Sequence, residues 1–162
     1  MSAKDVIELL GSRKIKLAIA ESLTGGLLCS ELVNVPGASN VVIGSVVAYQ
    51  TTLKSTLLGV NAELLNSKGS VDPEVATQMA EGIRSRFSLQ LMIPTDQILG
   101  ISTTGVAGPD EQDGQPVGTV YVAVSGAKGA KVWAHVFSGN RNQIREQTVS
   151  AAFQHIREYL AR

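Results

Sequence analysis

The sequence predicts one layered α/β domain built on a mixed sheet. Three observations carry that expectation. Strand and helix patterns alternate through the first two thirds of the chain, two β-rich segments then flank a glycine turn, and a long helical pattern closes it. A length of 162 residues suits one hydrophobic core and is short for two, and the chain shows no internal repeat, low-complexity stretch or linker.

Each element follows from a local pattern. Val6, Leu9 and Leu10 stand at helical spacing, and the helix they predict ends near Gly11. Ile15 to Ala20 alternates and reads as a strand. After Glu21 to Gly26, the residues Leu27, Leu28, Leu32 and Val33 predict a helix stopped by Asn34 and Pro36-Gly37. Val41 to Tyr49 is rich in β-branched residues and reads as a buried strand, and Thr51 to Leu58 as a short helix before Gly59. Asp72-Pro73-Glu74 opens the next helix: Asp caps, Pro fits the first turn, and Glu favours the positive end of the dipole. Val75, Met79, Ile83 and Phe87 are its expected buried stripe. Ile98 to Thr104 reads as a strand, followed by a polar loop over Glu111 to Gln115. Thr119 to Val124 and Lys131 to Phe137 form an expected antiparallel hairpin around Gly126 to Gly129. Arg141 to Leu160 carries Ile144, Val149, Phe153, Ile156 and Leu160 and closes the chain as a long helix.

Composition narrows the function classes. The 14 basic and 14 acidic residues cancel, so the basic surplus that nucleic-acid binding needs to release counterions is missing. No apolar run is long enough to span a bilayer, and no basic segment followed by an apolar stretch opens the chain. The single cysteine, Cys29, fits a reducing compartment and reads as a small buried hydrophobe. The expectation is a cytoplasmic protein that binds neither nucleic acid nor membrane.

Three segments each follow a strand directly: Glu21 to Gly26, Tyr49 to Lys54, and Thr103 to Asp110. Loops at strand ends form the ligand crevice of open α/β sheets, and these three converge if their strands are parallel neighbours. In the first, Ser22 precedes Thr24-Gly25-Gly26 at a helix start. The free amides of such a turn can hold a phosphate or a developing oxyanion. A plain tight turn with Thr24 as cap is an equally good reading.

A serine needs a neighbour to take its proton. The two histidines, His135 and His155, lie in a strand and a helix far from any glycine-rich loop, and read as surface or lightly packed imidazoles. A Ser-Lys arrangement stays open, because a lysine in a dry pocket loses its proton near neutral pH. Lys54 can serve, with Tyr49 relaying a proton or orienting the others. Taken singly, they read as a surface lysine and a strand-edge aromatic. In the third segment Thr104, Gly105, Ala107 and Gly108 suit a nucleotide wall. Asp110, Glu111 and Asp113 match no metal-ligand spacing and read as a solvated acidic loop. Arg141 opens the last helix where it can face an anion, with Arg145 one turn on. A solvated helix face is a somewhat better reading for Arg145 than for Arg141.

Taken together, Ala20-Glu21-Ser22-Leu23-Thr24-Gly25-Gly26, Gly44 to Tyr49 with Lys54 and Leu58-Gly59-Val60 resemble the C-terminal domain of CinA, the competence-damage-inducible protein. That domain is also known alone as nicotinamide-nucleotide amidohydrolase. Thr104 to Pro109, Pro116 to Val120 and Phe137 to Arg141 continue the resemblance in order, over nearly the whole chain. It implies a three-layer α/β/α sandwich with a mostly parallel sheet, a homodimer, and hydrolysis of nicotinamide mononucleotide to nicotinic acid mononucleotide and ammonia in pyridine nucleotide salvage. It places the family's serine on Ser22, its lysine on Lys54 and its tyrosine on Tyr49, with no metal or other cofactor. The expected substrate-binding set is Thr24, Gly25, Gly26, Thr104, Gly105, Ala107, Gly108 and Arg141, with oxyanion donors near Thr24 to Gly26. The chain departs from the family pattern at Gln50-Thr51, where many members have Ser-Asn, and at Leu23, where many have cysteine. Residues 1–162 are expected to be this one domain, and the activity of the N-terminal domain of full-length CinA is not expected of it.

Overall fold

The computed structural model describes residues 1–161. The elements are α1 (Ala3–Ser12), β1 (Lys16–Glu21), α2 (Leu27–Val33), β2 (Val42–Val47), α3 (Thr51–Leu58), α4 (Ala62–Lys68), α5 (Pro73–Leu91), β3 (Ile98–Gly105), β4 (Thr119–Gly126), β5 (Gly129–Val136) and α6 (Arg141–Leu160). Short 3-10 turns occupy Ala38–Asn40 and Thr95–Gln97.

The strand order is β2-β1-β3-β4-β5. β1 pairs parallel with both β2 and β3, while β3-β4 and β4-β5 are antiparallel. Only β4 therefore runs against the other strands. Helices α1, α2 and α6 pack together on one face, and α5 crosses the other with α3 against it, giving the three-layer α/β/α sandwich.

The side chains of β1 explain how the layers join. Leu17 and Ile19 enter the core shared with α1, α2 and α6, and Ala18 and Ala20 enter the core under α3 and α5. The alternation in this segment is one of size, with both faces buried, and the small residues admit α5 close to the sheet. Gly100 on β3 serves the same approach, since a Cβ there would overlap the Ala80 carbonyl of α5.

Most expected elements are present, and six details differ. β2 lies at a sheet edge and is only partly covered, so its β-branched run reflects strand preference rather than full burial. Val33 is 56% exposed at the end of α2, Phe87 is half-buried, and Ile7 rather than Leu9 joins Val6 and Leu10 in the core. Helix α4 was not expected; its signal is Asn61, whose side chain accepts the amides of Glu63 and Leu64. His135 and His155 are packed together rather than loose at the surface: their Nε2 atoms lie 2.8 Å apart.

Candidate active site

The order β2-β1-β3 makes the end of β1 a switch point. The chain leaves β1 through α2 to reach β2 on one side, and returns through α3, α4 and α5 to β3 on the other. Crevices open where connections diverge in this way. The three segments singled out in the sequence meet there. Together they line a cleft of about 440 Å³ that includes Ser22, Leu23, Tyr49, Gly105, Ala107 and Arg141.

Ser22 follows the last residue of β1, and its amide donates to the Thr103 carbonyl of β3. Its side chain is nearly covered, at 8% exposure. Lys54, one turn into α3, is 1% exposed and is among the largest fully buried side chains. Its Nζ lies 3.0 Å from Ser22 Oγ and donates to the Ala48 carbonyl at 2.9 Å. Among the described residues, no carboxylate pairs with it. Burial pushes its proton affinity down from the ordinary 10.5 to about 8, with the Asp113 carboxylate pulling the other way. A lysine in that range spends an appreciable part of its time as a neutral amine near physiological pH. The neutral amine keeps its N–H to Ala48 and accepts the Ser22 hydroxyl proton on its lone pair.

Tyr49 makes no hydrogen bond with the pair. It is 58% exposed, and its hydroxyl accepts from Arg141 Nη2 at 2.7 Å. Arg141 Nη1 donates to the Gly108 carbonyl at 2.6 Å. One guanidinium therefore ties the loops after β2 and β3 to the start of α6. Asn140 caps that helix by accepting the amides of Asn142 and Gln143.

The turn after Ser22 is arranged differently from the expectation. The Glu21 carboxylate accepts the amides of Gly26, Leu28 and Cys29 and the Ser45 hydroxyl. The Gly25 amide donates to the Ser22 carbonyl. Amides from Gly25 onward are thus already engaged, and neither glycine lines the cleft. The Thr24 side chain is buried and pairs with Thr103 Oγ1 at 2.8 Å. Thr104 likewise turns away, donating to the Ser70 carbonyl at 2.7 Å. In the turn after Ser22 and in the glycine loop facing it, the amides of Leu23, Thr24, Ala107 and Gly108 have no acceptor among the described residues. Leu23, Ala107 and Gly108 line the cleft, with Gly105 beside them.

Two residues hold the site together in roles the sequence reading did not assign. Arg145 donates to the Leu23 carbonyl at 3.1 Å and to the Thr24 carbonyl at 2.8 Å, which fixes the peptides after the nucleophile. Its i,i+4 spacing from Arg141 was the available signal, because it puts both on the face turned to the strand ends. Glu21 stood next to Ser22 at the end of an apolar strand. A carboxylate so placed needs internal donors, and the following helix supplies them. Among the described residues, no group of three or more His, Cys, Asp or Glu side chains could hold a metal ion.

A buried Ser-Lys pair at the switch point of a three-layer α/β/α sandwich, facing an open cleft, defines the class of site. Residues 1–160 match the family described as CinA C-terminal domain, and the chain belongs to it. It is 39% identical over 158 residues to a putative competence-damage inducible protein of Halothermothrix orenii, with 96% of this chain and 36% of the relative covered. It is 42% identical over 154 residues to another from Acetivibrio thermocellus, with 94% and 35% covered. The chain thus spans about a third of the length of the curated relatives it matches. Among solved structures, a CinA superfamily protein from Klebsiella pneumoniae superposes with a TM-score of 0.88 at 29% identity, covering 98% of this chain and 95% of that one. The competence/damage inducible protein CihA from Agrobacterium tumefaciens superposes at 0.85 with 30% identity, covering 95% and 90%.

Proposed function

We propose that this protein hydrolyses the carboxamide of nicotinamide mononucleotide, giving nicotinic acid mononucleotide and ammonia, through a Ser22 acyl-enzyme. The observation that carries this reading is the 3.0 Å contact between Ser22 Oγ and a buried Lys54 Nζ with weakened hold on its proton. The resemblance to stand-alone nicotinamide-nucleotide amidohydrolases supplies the substrate.

Neutral Lys54 takes the hydroxyl proton as Ser22 Oγ bonds to the carboxamide carbon. The oxyanion faces the Leu23 amide, with Ala107 or Gly108 as second donor, rather than the Thr24 to Gly26 turn. Each such donor is typically worth roughly 3–4 kcal/mol. Arg145 holds the carbonyls of Leu23 and Thr24, the two peptides that follow the Leu23 amide, and so fixes the turn that carries it. The C–N bond breaks as the Lys54 ammonium returns its proton to the leaving nitrogen, and ammonia departs. Water then attacks the ester, Lys54 takes its proton, and Ser22 Oγ leaves reprotonated. Arg141 has donors beyond those given to Tyr49 and Gly108, and these suit the substrate phosphate.

The test is ammonia release from nicotinamide mononucleotide, with Ser22→Ala beside the parent. Release by the parent and at least a thousandfold loss in the variant, with an unchanged circular dichroism spectrum, is the expected result. A folded parent that binds the nucleotide without releasing ammonia would make the domain a binding module instead.

A further inference from the structure

The loop between β3 and β4 folds back as a small hairpin. Gln112 and Gln115 exchange both backbone hydrogen bonds, and Asp113 and Gly114 between them have φ of 53° and 73°. These are the angles of the tight primed turn that Asp-Gly favours. The hairpin is docked through Asp113. Its Oδ2 accepts from the Ser70 amide at 2.8 Å and the Ser70 hydroxyl at 3.0 Å. Gln112 Nε2 donates to the same hydroxyl at 2.8 Å, and the Ser70 carbonyl accepts from Thr104. Ser70 is 2% exposed, so this is a built anchor rather than a surface contact. Gly69 leaves room for it: a Cβ there would collide with the Asp113 side chain. The residues before the turn, Asp110, Glu111 and Gln112, line the cleft.

Of the acidic residues on this loop, Asp110 and Glu111 lie on the cleft wall, while Asp113 is held by the anchor that Ser70 builds for it.

We propose that Asp113 is a positioning residue of this site: through Ser70 it fixes the 110–112 wall of the cleft in the place where the substrate packs against it. This deepens the amidase reading and rests on it for the identity of the substrate.

The test is Asp113→Gly, which suits the φ of 53° at that position and removes the acceptor, beside Ser70→Ala, which removes the hydroxyl joining Asp113 to Gln112. Each should raise KM for nicotinamide mononucleotide about three- to tenfold while kcat falls less than about twofold, and Asp113→Asn, which keeps an acceptor for Ser70, should recover most of the loss. An unchanged KM in Asp113→Gly overturns the positioning role, as does an equal loss in Asp113→Asn. If the parent releases no ammonia, the Kd for the nucleotide replaces KM: a Kd raised in Asp113→Gly and recovered in Asp113→Asn keeps the positioning role while the amidase reading fails, and an unchanged Kd overturns it.

Discussion

Lys54 is the residue on which the proposed chemistry and the local stability disagree. A base must be unprotonated to work, so kcat/KM should climb about tenfold per pH unit below pH 8 and level off above it, as Lys54 empties around that value. The pH–rate profile of the parent checks this. The stability sign follows from linkage. The folded chain holds the lysine proton less tightly than the unfolded chain, so between about 8 and 10.5 the unfolded state binds more protons and stability rises with pH. Below that window the buried ammonium is a standing cost of roughly 3 kcal/mol. Lys54→Met removes that cost but leaves the Ala48 carbonyl without its donor, which returns about 1–2 kcal/mol. The variant should therefore be inactive and more stable at pH 7, by on the order of 1–2 kcal/mol in urea unfolding. A destabilised Lys54→Met would mean the lysine is not strained in the fold. None of this was legible in the residue itself. Lys54 alone looked like a surface lysine, and only its spacing from a strand-end tyrosine and the presence of Ser22 drew attention to it.

Elements with strong end signals were read well, and those shaped by neighbours were not. The Asp72-Pro73-Glu74 start of α5 and the capped start of α6 carry local chemistry, and both helices begin where that chemistry places them. The hairpin of β4 and β5 followed from its glycine turn. By contrast, β2 looked buried because its residues prefer strands, and its edge position depends on strand order, which no local pattern encodes. The Gly25-Gly26 turn looked like an anion site, but its amides are taken by the Ser22 carbonyl and by Glu21, the latter a contact that exists only once α2 folds back on β1. α5 also hides a close approach. Gly82 faces the end of α3, and a Cβ there would overlap the Leu58 carbonyl. Gly82→Ala gains helix propensity and still should lose stability, by roughly 1–3 kcal/mol, because α3 must move away. Since α3 carries Lys54, the same variant should lose activity at temperatures where it stays folded, and thermal melts beside an activity assay would show both effects.

At the scale of the whole molecule, the site depends on one topological fact. Parallel neighbours β2, β1 and β3 bring the serine, the lysine and the glycine loop to one end of the sheet, while α6 reaches across to contribute both arginines. The convergence was foreseen conditionally, and the strand order supplies the condition. The far edge is closed by another polar contact. His155 Nδ1 pairs with Glu158 at 3.1 Å, and His155 Nε2 meets His135 Nε2 between α6 and β5. Both imidazoles are held below their ordinary range, chiefly by burial; the neighbouring His155 lowers His135 further, and Glu158 opposes both shifts. The unfolded chain thus takes up these protons first as pH falls through the ordinary histidine range near 6.5, and stability should fall with it. His135→Phe, which removes one titrating partner, should flatten the change in urea midpoint between pH 7.5 and pH 5.5, and an equal slope in parent and variant would assign the acid sensitivity elsewhere.

The chain has a single tryptophan, and its ring stacks on His155 at 4.2 Å with 12° between the planes. Trp133 lies on β5 and His155 on α6, so one indole sits across the joint between sheet and final helix. Imidazolium quenches indole emission more strongly than neutral imidazole does. The intrinsic fluorescence of the unlabelled protein is therefore an optical gauge of that joint: it should dim as the histidine takes up its proton, and shift to the red when the helix lifts from the sheet.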